Sequence, residues 1–164
     1  MTDVEMINEM AKMQKALDLA ILEKGRKLGK IDAFDRERTI YALIDEIGEM
    51  VHELKGNWCW WKATQKEVDM MKVLEELVDC WHFALSLDND SNMLCDDEAV
   101  EILPHIPFSP VHCVTRVMRS ASLKESTTKW LYKFTTTMGF TMTDIYTGYI
   151  AKNKENYARI ERGY

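Results

Sequence analysis

All three prolines of this chain, Pro104, Pro107 and Pro110, fall between positions 104 and 110. A proline inside a helix deletes a backbone hydrogen bond and clashes with the preceding turn, at about 3 kcal/mol. The long stretches on either side are therefore free to be helical, and their apolar residues recur at helical spacing. Met6, Met10, Met13, Leu17 and Ile21 predict a first helix over about residues 3–29, ending near Gly29. Asp35 is placed to N-cap a second helix carrying Ile40, Ile44, Ile47, Val51 and Leu54, which should stop at Gly56. Thr64 and Glu67 form a capping box that should open a third, with Met70, Leu74, Leu77, Val78, Trp81 and Leu85 as its apolar stripe. No strand alternation and no internal repeat competes with this pattern, so the fold class is all-α, a helical bundle.

The run Asp88-Asn89-Asp90-Ser91-Asn92 reads as a polar break. Residues 93–124 look less regular: a short helix, the proline elbow, then Ser109 as N-cap with Pro110 at the first helical position. They are expected to form an insertion packed beside the bundle and more mobile than it. Two final helices, over about 125–138 and 142–161, are separated at Gly139. With 164 residues, 46% of them hydrophobic, the chain is expected to be one domain with a real core. A net charge of −6 argues against a broad nucleic-acid footprint. Cys59, Cys80, Cys95 and Cys113 show no CxxC spacing, and Cys80 lies in an apolar helical run, which disfavours structural zinc or a disulfide framework. The acidic opening Met1-Thr2-Asp3 and the lack of any membrane-length apolar run fit a soluble, cytoplasmic protein.

The chemistry is carried by two matched acidic pairs, Glu46-Ile47-Gly48-Glu49 and Glu76-Leu77-Val78-Asp79. An i, i+3 spacing puts both carboxylates of a pair on one helical face. On a wheel of about 100° per residue, Glu46 and Glu76 fall near 240° from the start of their own apolar stripes, and Glu49 and Asp79 near 180°. Phe83 and Ser86 continue that face of the third helix. Four carboxylates converging from two packed helices repel unless a cation holds them, and an oxygen-only donor set suits Mg²⁺ or Mn²⁺. Solvated helix faces are the ordinary explanation for acids like these; two equally displaced pairs on strongly apolar helices argue for the metal. Glu49-Met50-Val51-His52 and Asp79-Cys80-Trp81-His82 also match the Glu-x-x-His spacing of di-iron bundles. That site needs further acids from two other helices, whereas Glu46 and Glu76 lie on the same helices as the histidines.

Near the C-terminal end Tyr149, Lys152, Asn156 and Arg159 share one helical face, with Asn153 and Tyr157 beside them. Two cations interleaved with amides suit phosphate oxygens, which is what a metal-bound polyphosphate needs. The ordinary alternative is a mixed-charge solvated helix, since Lys154, Glu155, Glu161 and Arg162 are also present. Trp58, Trp60 and Trp61 cluster in Asn57-Trp58-Cys59-Trp60-Trp61-Lys62, as core or interface lids or as a stacking surface for a base. Gln14 and Asp18, at i, i+4 on the first helix, are placed either to pack against a neighbouring helix or to bond a base edge.

These pieces resemble the dimeric, all-α dUTP diphosphatases of the MazG-like nucleotide pyrophosphohydrolase superfamily. The resemblance rests on Glu46-Ile47-Gly48-Glu49, on Glu76-Leu77-Val78-Asp79 followed by Trp81-His82-Phe83-Ala84-Leu85-Ser86, and on Tyr149-Ile150-Ala151-Lys152-Asn153-Lys154-Glu155-Asn156 with Arg159 and Gly163-Tyr164. It implies hydrolysis of dUTP, and of dUDP, in a homodimer whose sites draw on both subunits. It implies Mg²⁺, or Mn²⁺, at two or three ions per site, held by Glu46, Glu49, Glu76 and Asp79, with Glu46 or Glu49 as general base. Lys152 and Arg159 would bind phosphates, with Tyr149, Asn153 and Asn156 nearby. Gln14, Asp18, Trp61, His82, Phe83 and Ser86 would shape the base and sugar pocket. The resemblance also allows a repressor-type protein partner, as phage-type members have. Two other readings stay open: the same reaction on another nucleotide such as dCTP, and a non-catalytic helical dimer that binds a partner.

Overall fold

A computed structural model describes residues 1–56 and 58–163; Asn57 and Tyr164, both part of the motifs above, lie outside the described residues. Seven α-helices follow in order: α1 (Asp3–Lys27), α2 (Arg36–Glu53), α3 (Met70–Ser91), α4 (Asp97–Ile102), α5 (Pro110–Leu123), α6 (Thr127–Thr137) and α7 (Met142–Arg162). A 3₁₀ turn, Leu103–His105, joins α4 to the proline elbow. No strand occurs among the described residues.

Helix α3 is the axis, packing on α1, α2, α6 and α7, and its pairing with α2 is the most extensive. Leu77, Trp81 and Leu85 are fully buried on it, as their spacing predicts; Val73 is buried as well, while Met70, the expected start of the stripe, is exposed. Glu76 and Asp79 look toward α2 and α7, whereas Trp81 Nε1 donates to Thr135 Oγ1 of α6 on the other side. One continuous core runs from Met6 of α1 to Tyr149 of α7. Residues 93–124 contribute Cys95, Ala99, Leu103, Cys113, Val117 and Ala121 to it, so the segment expected to lie beside the bundle is built into the same core through α6.

Several caps fall where the sequence puts them: Asp35 caps α2, and Ser109 caps α5 with Pro110 in its first turn. Others do not. Asp69, not Thr64, caps α3; its carboxylate accepts from the amides of Met71 and Lys72, and the chain is irregular through residues 64–69. A capping-box pattern has no effect where the apolar stripe has not begun. Helix α2 ends at Glu53, ahead of Gly56, with Lys55 taking the positive φ of 54°.

The polar break at 88–92 is a second correction. Helix α3 continues to Ser91 and stops at Asn92, which takes the left-handed conformation. Asp88 is completely buried. Its carboxylate accepts from the amides of Thr127 (2.9 Å) and Thr128 (2.8 Å) and from Thr128 Oγ1 (2.7 Å). It thus satisfies the start of α6 from the core side. Arg36 ties the same end together, donating to the carbonyls of Leu87 (2.9 Å) and Ala121 (3.1 Å) and pairing with Asp90 (2.9 Å).

Two glycines let elements approach closely. A Cβ at Gly25 would lie 2.7 Å from Ile31 Cβ, so the connection after α1 folds back onto it. A Cβ at Gly148 would lie 2.7 Å from Val78 Cγ2, so α7 runs against α3 at the level of the acidic face.

A candidate metal and phosphate site

Carboxylate oxygens of Glu46, Glu49 and Glu76 lie within 4.8 Å of one another. They are brought together because α2 and α3 pack along their apolar stripes and the acids share one angular offset from those stripes. Asp79 is beside them but engaged elsewhere: Lys152 Nζ, reaching over from α7, donates to its Oδ2 at 2.6 Å. Burial pushes the Glu46 carboxyl up to about 7, helped by repulsion from Asp79 and Glu49. Burial and then repulsion from Glu49 and Asp79 raise Glu76 as well. Anionic groups crowded and partly desolvated are penalised for their charge, and a divalent cation relieves both effects. The donor set is all oxygen, which fits Mg²⁺ or Mn²⁺.

No histidine joins this group. His52 is exposed on α2, and His82 turns its Nδ1 to Gln14 Oε1 at 2.8 Å. The Glu-x-x-His spacing therefore does not assemble a di-iron site.

The acids stand between two spaces. Glu49 and Glu76 line an open groove of about 500 Å³ along α2, with Tyr41, Gly48 and His52. Glu46 and Asp79 line a cavity of about 570 Å³ enclosed by α1, α2, α3, α7 and the 28–35 connection. That volume is of the size that takes a small ligand. Lys152, Asn156 and Arg159 form its α7 wall; Gln14, Asp18, His82, Phe83 and Ser86 form its α1–α3 wall. Leu28, Ile31 and Phe34 add an apolar side that the sequence reading did not single out.

The predicted α7 face divides in two. Tyr149 and Asn153 are buried behind the wall, while Lys152, Asn156 and Arg159 face the cavity. Tyr149 Oη donates to Gln14 Oε1 (2.9 Å), Asn153 Nδ2 donates to Tyr149 Oη (3.4 Å), and the Tyr149 ring stacks on His82 with centroids 4.1 Å apart. Gln14 Nε2 donates to Asp18 Oδ1 (2.8 Å) and Ser86 Oγ (3.0 Å), and Ser86 Oγ donates to Asp18 Oδ1 (3.0 Å). Burial raises the Asp18 carboxyl, opposed by the bonds from Ser86 and Gln14. Arg159 Nε pairs with Glu155 at 3.3 Å. Trp61 is not brought to this wall. It is 58% exposed and makes edge contacts with Trp58 and Trp60, outside the cavity.

Asp88 and Arg36, which fix the far end of α3, were likewise missed by sequence reasoning. Asp88 sits at i+3 from Leu85 and i+7 from Trp81, on the buried stripe, and that phase was the available signal.

Among the described residues, no helix is long and apolar enough to cross a membrane. No curated protein matches the chain. The family model described as dUTPase matches residues 6–164, which takes in both acidic pairs and the whole of α7. The chain belongs to the α-helical dUTPase family, and hydrolysis of dUTP is its activity.

Proposed function

We propose that the chain hydrolyses dUTP to dUMP and pyrophosphate in a metal-dependent reaction, removing dUTP from the nucleotide pool. The observation that carries this reading is the junction of three clustered carboxylates with a cavity whose facing wall holds Lys152 and Arg159. Anionic and cationic walls on one space suit a cation-bound polyphosphate.

Glu46, Glu49, Glu76 and Asp79 would hold Mg²⁺ or Mn²⁺, two or three ions in all. When bound, the ions would supply Lewis acidity and neutralise phosphate charge. Lys152 and Arg159 would grip the phosphates, with Asn156 between them one turn along. Glu46 or Glu49 would accept the proton of the attacking water. The water oxygen bonds to the α-phosphorus, the bond to the bridging oxygen breaks, and pyrophosphate leaves. Glu46 suits proton transfer because it stands on the cavity side of the acidic cluster, where the phosphates would lie. Phe83, with Ser86 and Gln14, would line the sugar and base.

A homodimer is part of the proposal. Trp60 (91% exposed), Tyr41 (71%), Met71 (65%) and Trp61 (58%) are large apolar side chains left open to solvent, and Tyr41 lines the acidic groove. Exposed aromatic area of this kind marks an interface. Trp61 would then meet the base pocket of the second subunit, and dUDP would serve as a shorter substrate.

The test is a panel of deoxynucleoside triphosphates with Mg²⁺ scored for pyrophosphate, run beside a light-scattering mass. Release from dUTP that stops with chelator is expected. Metal-independent release, or none from dUTP, would defeat the proposal.

A further inference from the structure

His82 Nε2 is the one buried side-chain nitrogen or oxygen without a hydrogen-bond partner among the described residues. Such an atom forfeits its hydration for nothing in the free protein, and native structures keep few of them. His82 is 5% exposed, its ring lies flat on Tyr149, and it belongs to the cavity wall with Phe83 and Ser86.

The surrounding bonds fix which edge of this ring carries the proton. Asp18 Oδ1 accepts from Gln14 Nε2 and from Ser86 Oγ. With the amide NH₂ held there, Gln14 must turn its carbonyl oxygen inward. That oxygen already accepts from Tyr149 Oη, whose own oxygen accepts from Asn153 Nδ2. The reversed amide would press its carbonyl against the Asp18 carboxylate. Gln14 Oε1 can only accept, so His82 Nδ1, 2.8 Å away, must be the N–H partner. A neutral imidazole has a single N–H, so Nε2 is left as a bare lone pair. Burial, with Lys152 nearby, holds the ring neutral, its pKa lowered to about 3.

We infer that His82 Nε2 is the acceptor that selects the base, taking a pyrimidine with a ring N–H on its pairing edge and refusing one with a lone pair there. Uracil presents N3–H at that position; cytosine presents a bare N3. Gln14 and Asp18 are positioning residues, acting on the base through the tautomer they impose. This rests on the dUTP reading, and assigns a source for its preference of uracil over cytosine. Sites built around a hydrogen bond to the substrate reject the mismatched analogue strongly, because buried groups are left unpaired.

Nitrogen-15 NMR of the imidazoles in the wild-type protein tests the tautomer directly. The expected spectrum has His82 protonated on Nδ1 with Nε2 bare, and dUMP, not dCMP, shifts Nε2 toward the hydrogen-bonded position. An Nε2–H tautomer overturns the inference, as does an equal shift from both nucleotides. In kinetics, His82→Gln should lower the ratio of kcat/KM for dUTP over dCTP at least tenfold, because a side-chain amide offers donor and acceptor alike. Gln14→Leu should lower the same ratio and mix the His82 tautomers. An unchanged ratio in His82→Gln refutes base selection by this atom. Wild-type protein that turns over neither nucleotide would sink the enzymatic reading instead, leaving the dUMP and dCMP titrations to decide the tautomer's role.

Discussion

Glu46→Gln removes the most strongly perturbed carboxylate of the acidic cluster while keeping its shape. In the folded protein this carboxyl titrates at about 7, against 4.5 for an unperturbed glutamate, because burial and the neighbouring Asp79 and Glu49 disfavour its charge. The folded state therefore keeps a proton that the unfolded state has lost between pH 4.5 and about 7. The associated stability is fully present below 4.5 and is gone once the pH has risen through 7. At about 1.4 kcal/mol per tenfold change in proton affinity, the full rise amounts to ~3 kcal/mol. Glu46 is only half buried, so solvent screening reduces this to about 1–2 kcal/mol. Glutamine, always neutral, should thus stabilise the metal-free protein by that amount at pH 8, and by about a quarter of it at pH 5. At roughly 2–4 °C per kcal/mol for a chain of this size, Tm in chelator should rise by about 2–8 °C at pH 8. Calorimetry at the two pH values, with chelator and then with saturating Mg²⁺, checks both parts. In Mg²⁺ the order should reverse, because the wild type gains more from the ion. An equal or lower Tm for the variant at pH 8 in chelator would refute the claim that these acids are held together against their repulsion.

Three further outcomes follow from the geometry. Lys152→Ala and Arg159→Ala should each weaken triphosphate binding by roughly 1.5–3 kcal/mol, as charged hydrogen bonds do, and leave deoxyuridine binding nearly unchanged; calorimetric titration with both ligands separates a phosphate grip from a structural role. Phe83→Ala should narrow the preference for dUTP over UTP, since a ring against the sugar leaves a 2′-hydroxyl unpaired at about 1–3 kcal/mol, and kcat/KM for both nucleotides reads it. Asp88→Ala should destabilise the fold by about 2–4 kcal/mol in urea titration, because two amides and a threonine hydroxyl lose their acceptor in the core.

The class of the fold and its principal helices were legible because they rest on period, and period survives tertiary packing. Glu46, Glu49 and Glu76 were legible for the same reason: equal angular offsets on two helices that pack stripe to stripe must converge. Asp79 shares the offset, yet its partner comes from α7, and no pattern within α3 announces a lysine reaching over from a helix distant in sequence. Tyr149 and Lys152 look alike on a wheel, yet one is fully buried against His82 and the other faces the cavity, because α7 packs on both α1 and α3 and a wheel does not say where those neighbours end. Asp88 was misread as a break because polarity was weighed before phase. Trp61 was placed in the pocket by resemblance, whereas its indole, edge-on to Trp58 and Trp60, is exposed outside the cavity of its own chain.

The contact between Gly148 and Val78 carries a consequence for how this sequence can drift. Lys152 lies one turn beyond Gly148, and Asp79 follows Val78 directly, so the spacing of the ion pair is set by the volume shared between two apolar positions. A methyl group gained at 148 would lever α7 outward and carry the lysine with it, although neither altered atom is polar. The same gain accompanied by a loss at 78 would be nearly silent. The two positions therefore form an epistatic pair, in which either substitution alone is felt as a loss of charge placement and both together are not. Selection on the placement of Lys152 reaches apolar residues outside the ion pair itself.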